Sequence, residues 1–336
     1  MPRTLELAPT TERRLLLAAS TGGHLAQLVR LAPGLGASDE SLWVTFDSLQ
    51  EKSLLAGRNV LHVPYVGPRD YIALYAAWRR ISAELKGQRF DAAVSTGSAL
   101  ALAALPAARL AGMPALYIES VSRVDGPSLS GRVLAMSRLA EMRTQHANWS
   151  SGRWKVHPSV LNDYVSGRRT IDAGRPLNIF ITLGTIKGFA FDALVDRILD
   201  LGIANEDTVW QLGSTPPRRD LPGTVRSFVD AAEFEAHARD ADVVITHAGV
   251  GTILGLIDLG IYPLAVVRRK RRGEHVDDHQ QQIAGMLNDL DIGRGAEVDD
   301  LDREVIESAA RRWTSVRDRS VTAERSDASR TSGERA

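Results

Sequence analysis

Apolar residues along this chain gather into short continuous runs at 15–19, 42–46, 60–63, 92–95 and 115–119, and between the runs they recur at helical spacing. A short apolar run without polar alternation is a strand covered on both faces, the kind found in parallel sheets. Strands of this sort alternating with helices predict an α/β domain with helices on both sides of its sheet. The stretch 165–176, with Ser166-Gly167-Arg168-Arg169 and Gly174-Arg175-Pro176, breaks the rhythm and reads as a polar loop. Strands then resume at 179–182, 208–212, 225–228, 243–246 and 264–267. Two Rossmann-like domains are expected, 1–172 and 173–314, with a cleft between the C-terminal edges of their sheets, where ligands of open α/β sheets bind. Beyond Trp313 apolar residues nearly vanish, and 315–336 reads as a disordered tail.

Each half carries a glycine turn between a strand and a helix. In the second half Val243-Val244-Ile245 leads through His247, Ala248, Gly249 and Gly251 to Thr252, which opens a helix. Glycines allow close backbone approach there, and the free amides and dipole of the helix start favour an anion such as a diphosphate. After the next strand comes the polar run Gly273-Glu274-His275-Val276-Asp277-Asp278-His279-Gln280. The first half offers Ser20-Thr21-Gly22-Gly23-His24-Leu25 at the end of its first strand, followed by a helix with Leu25, Leu28, Val29 and Leu31 inward.

The pairing of His-Ala-Gly-x-Gly-Thr with a downstream Asp-His-Gln resembles the nucleotide-sugar-binding half of glycosyltransferase family 28, and Gly-Glu-His-x-x-Asp-His-Gln resembles its exopolysaccharide branch. The first half resembles the acceptor-binding subunit of the two-component N-acetylglucosaminyltransferase of N-glycan assembly. That similarity runs through Gly22-Gly23-His24, Ser95-Thr96-Gly97-Ser98, Ile118-Glu119-Ser120 with Arg123, Pro127-Ser128-Leu129-Ser130-Gly131, and Gln145. The resemblance spans about 14–314 and implies a GT-B fold in which two usually separate subunits are fused.

It further implies a UDP-sugar donor held by Gly184, Thr185, His247, Ala248, Gly249, Gly251, Thr252, Glu274, His275, Asp278, His279 and Gln280. Thr21, Gly22, Gly23, Thr96, Gly97, Ser98 and Arg123 would hold a polyprenyl-diphosphate-linked saccharide acceptor. Beyond the UDP-sugar co-substrate no cofactor or metal is expected. The place of action would be the cytoplasmic face of the plasma membrane, as a peripheral protein, in exopolysaccharide or cell-wall glycan assembly. One position departs from the family: many relatives have a ribose-binding glutamate where this chain has Gly255, and Glu274 is expected to replace it in preference to Asp258.

An inverting sugar transfer needs a base for the acceptor hydroxyl and a stabiliser for the leaving diphosphate. His24 is the candidate base, with a helix-capping or phosphate-binding role as its alternative, and Glu119 is the rival base. Asp240-Ala241-Asp242 has the form of a metal motif, but it precedes its strand and so belongs to the sheet edge away from the cleft. The basic run Arg268-Arg269-Lys270-Arg271-Arg272 reads first as a solvated loop and second as a contact for phosphates or anionic headgroups. Tyr71, Leu74, Tyr75, Trp78, Ile81 and Leu85 form a helical stripe that suits either a core or, through Tyr71, Tyr75 and Trp78, a membrane interface.

Composition narrows the field further. With Lys plus Arg and Asp plus Glu at 41 each, no overall basic field points to nucleic acid, and the lack of cysteine removes disulfides and thiolate chemistry. The longest apolar region, 99–118, is interrupted by Pro106, Arg109, Gly112 and Pro114 and makes a poor membrane span. Two rival functions stay open: a soluble transferase acting on a small natural product, and a catalytically silent nucleotide-sugar-binding scaffold.

Overall fold

Leu15, Leu16, Leu17 and Ala18 have no exposed surface on either face, as a central parallel strand requires, and they form β1 (Leu15–Ala18). The computed structural model describes residues 11–317 other than 68, 173, 186–187 and 276–279. Around β1 lie β2 (Leu42–Thr45), β3 (Asn59–His62), β4 (Ala92–Ser95), β5 (Ala115–Ile118), β6 (Glu141–Thr144) and β7 (Trp154–Val156), all parallel, in the order β3-β2-β1-β4-β5-β6-β7. Helices α1 (Gly23–Leu31) and α2 (Leu49–Leu54) connect the strands on one side of the point where the order reverses. On the other side run α3 (Tyr71–Glu84), α4 (Ala101–Leu110) and α5 (Leu129–Ser137). Strand β6 was hidden from the apolar pattern because only Met142 and Thr144 are fully buried, while Glu141 pairs with Arg143 at 2.9 Å.

After β8 (Tyr164–Arg168) the second sheet collects β9 (Ile179–Thr182), β10 (Val209–Gln211), β11 (Thr224–Arg226), β12 (Val243–His247), β13 (Leu264–Val266) and β14 (Arg294–Ala296), in the order β11-β10-β9-β12-β13-β14. Its helices are α6 (Asp192–Asp200), α7 (Ala231–Asp240), α8 (Val250–Asp258), α9 (Gln280–Leu290) and α10 (Arg303–Ala310). Both sheets therefore reverse order beside their first strand, between β1 and β4 and between β9 and β12. In a doubly wound sheet that reversal opens the ligand crevice.

Two expectations need correction here. The stretch read as a loop from 165 contains β8, and Ser315 and Val316, expected in a tail, belong to β15 (Arg312–Val316). The two strands pair antiparallel, with Trp313 opposite Gly167, and a Cβ on Gly167 would fall 2.4 Å from the indole. Their composition is polar because the ribbon is only partly covered, so apolar pattern could not reveal it. The remainder of the expected tail, from 318, lies outside the described residues.

The domains meet through α1 and α8, whose glycine ends touch. A Cβ on Gly23 would lie 3.0 Å from the Val250 Cβ and 3.4 Å from the Gly251 nitrogen, so a larger residue would press the two helix starts apart by a few tenths of an ångström. Behind the glycines, Leu25 and Leu28 share one buried cluster with Ile253, Leu254, Ile257, Ile283 and Leu287. At the far end of the contact Asp258 accepts hydrogen bonds from both Arg30 and Tyr164.

Candidate active site

The first-half motifs converge on the reversal between β1 and β4. His24, in the first turn of α1, places Nδ1 2.8 Å from the Thr96 carbonyl oxygen, so Nδ1 carries the proton and Nε2 is left with its lone pair. Thr96 answers by donating its hydroxyl to the His24 carbonyl at 2.7 Å. The imidazole lies against Gly97, where a Cβ would fall 2.8 Å from its Cε1 and where φ is +125°. Burial holds the His24 pKa below 6.5, the Thr96 carbonyl opposing this and Arg123 adding to it. A neutral imidazole with a fixed tautomer is the form a general base needs. Gly22, at φ +91°, is clasped by Gln50, which accepts from its amide and donates to its carbonyl.

Glu119 has no exposed surface, and both its oxygens are occupied. Oε1 accepts from the Tyr117 hydroxyl at 3.0 Å and the Ser120 amide at 3.2 Å; Oε2 accepts from the Ser128 amide at 2.9 Å and its hydroxyl at 3.0 Å. Burial raises its pKa against the pull of these bonds, Ser128 first. Gly131 is required at the turn, since a Cβ there would meet Glu119 Oε2 at 2.4 Å. Glu119 thus anchors the Pro127–Gly131 motif at the start of α5, and the rival base is enclosed by the protein's own donors.

Sequence reasoning missed Gln27, which lies buried one turn beyond His24. Its Nε2 donates to the Gly23 carbonyl and the Ser120 hydroxyl, each at 3.0 Å, and its Oε1 accepts from the Val121 amide and from Gln145. Gln145 donates in turn to the Glu119 carbonyl at 3.0 Å. A glutamine on a helix face gives no sequence signal, but this one ties the His24 turn to the Glu119 and Gln145 motifs. Every member is satisfied, so the network is rigid.

On the second sheet Gly184 and Thr185 follow β9, while His247 ends β12 and Ala248 and Gly249 follow it, again flanking the reversal. The His247 ring lies across Gly249, where a Cβ would fall 2.3 Å from Nε2, and its Nδ1 has no hydrogen-bond partner. Burial, with Arg268 beside it, pushes His247 down to about 3. No side chain caps α8 at Gly249, and the helix has no acid in its first turn, so the amides running through Gly251 and Thr252 stay available to an external anion. Gln280 opens α9 and accepts from the Arg268 amide at 3.1 Å; His275 lies 6.1 Å from the Phe189 ring. Asp278 and His279 lie outside the described residues.

The expected substitute for a carboxylate at Gly255 is not free. Glu274 is buried, with Oε2 on the Arg269 amide at 2.8 Å and Oε1 on the Arg272 Nε at 2.9 Å, and Asp258 is held by Arg30 and Tyr164. A Cβ at Gly255 meets nothing within 4 Å, so the space a side chain would fill stands open. The basic run is solvated only in part: Lys270 and Arg271 are exposed, but Arg268 is fully buried, and Arg269 makes a two-pronged pair with Glu297 at 3.1 and 2.6 Å. Arg269 and Arg272 are drawn inward by the carboxylates of Glu297 and Glu274, which the run itself does not disclose.

Asp242 is gripped by Arg175 at 2.7 and 2.8 Å and by the Asn178 amide, ahead of β9 and β12, so the Asp-Ala-Asp segment sits at the sheet edge opposite the glycine turns. Asp47, Glu51 and His62 bring potential ligand atoms within 4.8 Å of one another, with Lys52 on Asp47 at 2.8 Å. The aromatic stripe divides: Ala77 and Ile81 enter the core, Trp78 packs partly against it, and Tyr71, Ile72 and Tyr75 are exposed. Among the described residues no helix is long and apolar enough to cross a membrane. A cavity of about 860 Å³ opens between the domains, lined by Val124, Asp125, His146, Asn148, Gln281 and Gln282 among others. Gln282 bridges it, donating to Asp125 at 2.6 Å and accepting from the Val124 amide at 3.1 Å.

Two doubly wound parallel-sheet domains, facing each other across their reversal points, define the GT-B fold of glycosyltransferases. Residues 220–334 match the glycosyltransferase family 28 C-terminal domain. The UDP-N-acetylglucosamine–N-acetylmuramyl-(pentapeptide) pyrophosphoryl-undecaprenol N-acetylglucosamine transferase of Synechococcus sp. (strain CC9311) is 35% identical over 117 residues, which is 32% of this chain. The match spans 33% of that relative's length. Among solved structures, MurG of Acinetobacter baumannii superposes with a TM-score of 0.53 at 22% identity, covering 88% of this chain and 89% of that one. UGT89C1 of Arabidopsis thaliana, solved with UDP-L-rhamnose, gives 0.56 at 15% identity, covering 89% and 90%.

Proposed function

We propose that this chain is an inverting glycosyltransferase that moves a sugar from a UDP-sugar to a polyprenyl-diphosphate-linked saccharide in exopolysaccharide or cell-wall glycan assembly. The observation that carries this reading is the direct contact of the two glycine turns, Gly22-Gly23 against Val250-Gly251, which sets His24 beside the uncapped start of α8. An acceptor hydroxyl gives its proton to His24 Nε2 as its oxygen attacks the sugar's anomeric carbon. The bond to UDP breaks on the opposite face, and the α8 amides together with the Gly184–Thr185 turn take up the diphosphate charge. Fusion of the acceptor and donor halves makes this encounter intramolecular.

The acceptor's lipid requires a membrane surface, and we assign that role to the exposed Tyr71, Ile72 and Tyr75 with Arg79 and Arg80 on α3, acting at the cytoplasmic face. The deciding experiment measures UDP release from a panel of UDP-sugars, with a polyprenyl-diphosphate saccharide, with a soluble aglycone, and with no acceptor. Release that depends on the lipid-linked acceptor supports the reading. Release with the soluble aglycone alone, or binding without release, refutes it in favour of a natural-product transferase or a silent scaffold.

A further inference from the structure

Arg268, just past β13, is 0% exposed, and its Nε, Nη1 and Nη2 atoms have no hydrogen-bond partner. The guanidinium lies 5.2 Å from the Phe191 ring centroid and reaches beneath Gly184, where a Cβ would fall 2.6 Å from Nη1. Buried arginines ordinarily come paired, because a desolvated charge without a counterion is costly. The other half-buried arginines of the same run have theirs: Arg269 is matched by Glu297 and Arg272 by Glu274. Burial pulls Arg268 down only to about 10, with Glu274 opposing, so it remains charged at neutral pH. It is an unspent cation at the reversal between β9 and β12, beside His247, whose Nδ1 has no hydrogen-bond partner.

We infer that Arg268 is a built-in countercharge for the diphosphate of the donor, left unpaired in the free protein so that the arriving anion relieves the cost of its burial. This rests on the donor-site reading above. Gly184 puts no side chain between the guanidinium and the turn where the diphosphate is proposed to lie, and the low dielectric around a buried group strengthens the attraction. The same geometry explains why Gly184 must be glycine: any side chain would displace the guanidinium.

The test compares the intact chain with Arg268→Met and Arg268→Lys by thermal melting and by calorimetric titration with UDP, inorganic pyrophosphate and uridine. Removing an uncompensated charge should leave the free Arg268→Met protein at least as stable as the parent. Its affinity for UDP and pyrophosphate should fall roughly 10- to 100-fold, uridine binding should not change, and lysine should restore part of the loss. An Arg268→Met protein that melts well below the parent or fails to fold overturns the inference. So does equal loss of uridine, UDP affinity within twofold of the parent, or a lysine variant no better than methionine. If the parent chain binds pyrophosphate through Arg268 but no nucleoside diphosphate, the countercharge stands and the donor reading falls.

Discussion

Replacing Gly97 by alanine probes the proposed base without substituting it. The added Cβ would sit 2.8 Å from His24 Cε1, 3.0 Å from Nδ1 and 3.2 Å from the Tyr117 hydroxyl, all shorter than van der Waals contact. Tyr117 is pinned by Glu119 and Ser128, so the imidazole is the group that yields, and with it goes the 2.8 Å bond from Nδ1 to Thr96 that fixes the tautomer. Alanine at φ +125° adds backbone strain of about 1–3 kcal/mol. With the lost hydrogen bond at about 0.5–1.5 kcal/mol, the stability loss should be about 1.5–4.5 kcal/mol, and kcat should fall by about 10²–10⁴, as for loss of a general base, while donor binding holds. His24→Ala should cost the same, and the double variant should be no worse than either single one, because both substitutions remove one function. Steady-state UDP release with the lipid-linked acceptor reads all three. Gly97→Ala turnover within a few-fold of the parent, or additive losses in the double variant, would refute the reasoning.

Three further outcomes are expected. His247 titrates near 3 in the folded chain and near 6.5 when unfolded, so the unfolded state binds the extra proton and stability drops as pH falls from 6.5 toward 3. Urea melts should show a slope of about 1.4 kcal/mol per pH unit that His247→Asn lacks, and an unchanged slope would count against the buried neutral imidazole. Gly255→Ala, in the middle of α8 with open space at its Cβ, should stabilise the chain by about 0.5–1 kcal/mol in the same melts, and destabilisation would mean that the space is not open. Serine at both Tyr71 and Tyr75 should weaken sedimentation with anionic liposomes at low salt without lowering the melting temperature; undiminished binding would remove α3 from the membrane face.

The parallel sheets were legible because their central strands are apolar without interruption, and the glycine turns were legible because glycine lets a helix start come close to a neighbour. Thr96, Gly97, Glu119, Ser128 and Gln145 were readable as motifs but not as one network: Gln27, the residue that joins them, looks like any polar position on a helix. The pairing of β8 with β15 depends on residues nearly 150 positions apart, such as Gly167 and Trp313, and local pattern carries no trace of it. The fate of the charges was the least legible. Asp258 on Arg30 and Tyr164, and Glu274 on Arg272, are settled by which partner the fold delivers, and Arg268 is buried with none; a string of letters lists charges without their neighbours.

The packing of α1 on α8 makes the junction between the halves part of the interior. Leu25, Leu28, Ile253 and Ile257 belong to one apolar cluster, so one face of each half is covered by the other. Two separate chains of this design would be obligate partners, each exposing a sticky helix until it found the other. In the single chain, a nick in the connecting segment should leave the halves associated and the glycine turns in register, because adhesion between the cores, and not the covalent tether, holds the cleft in shape.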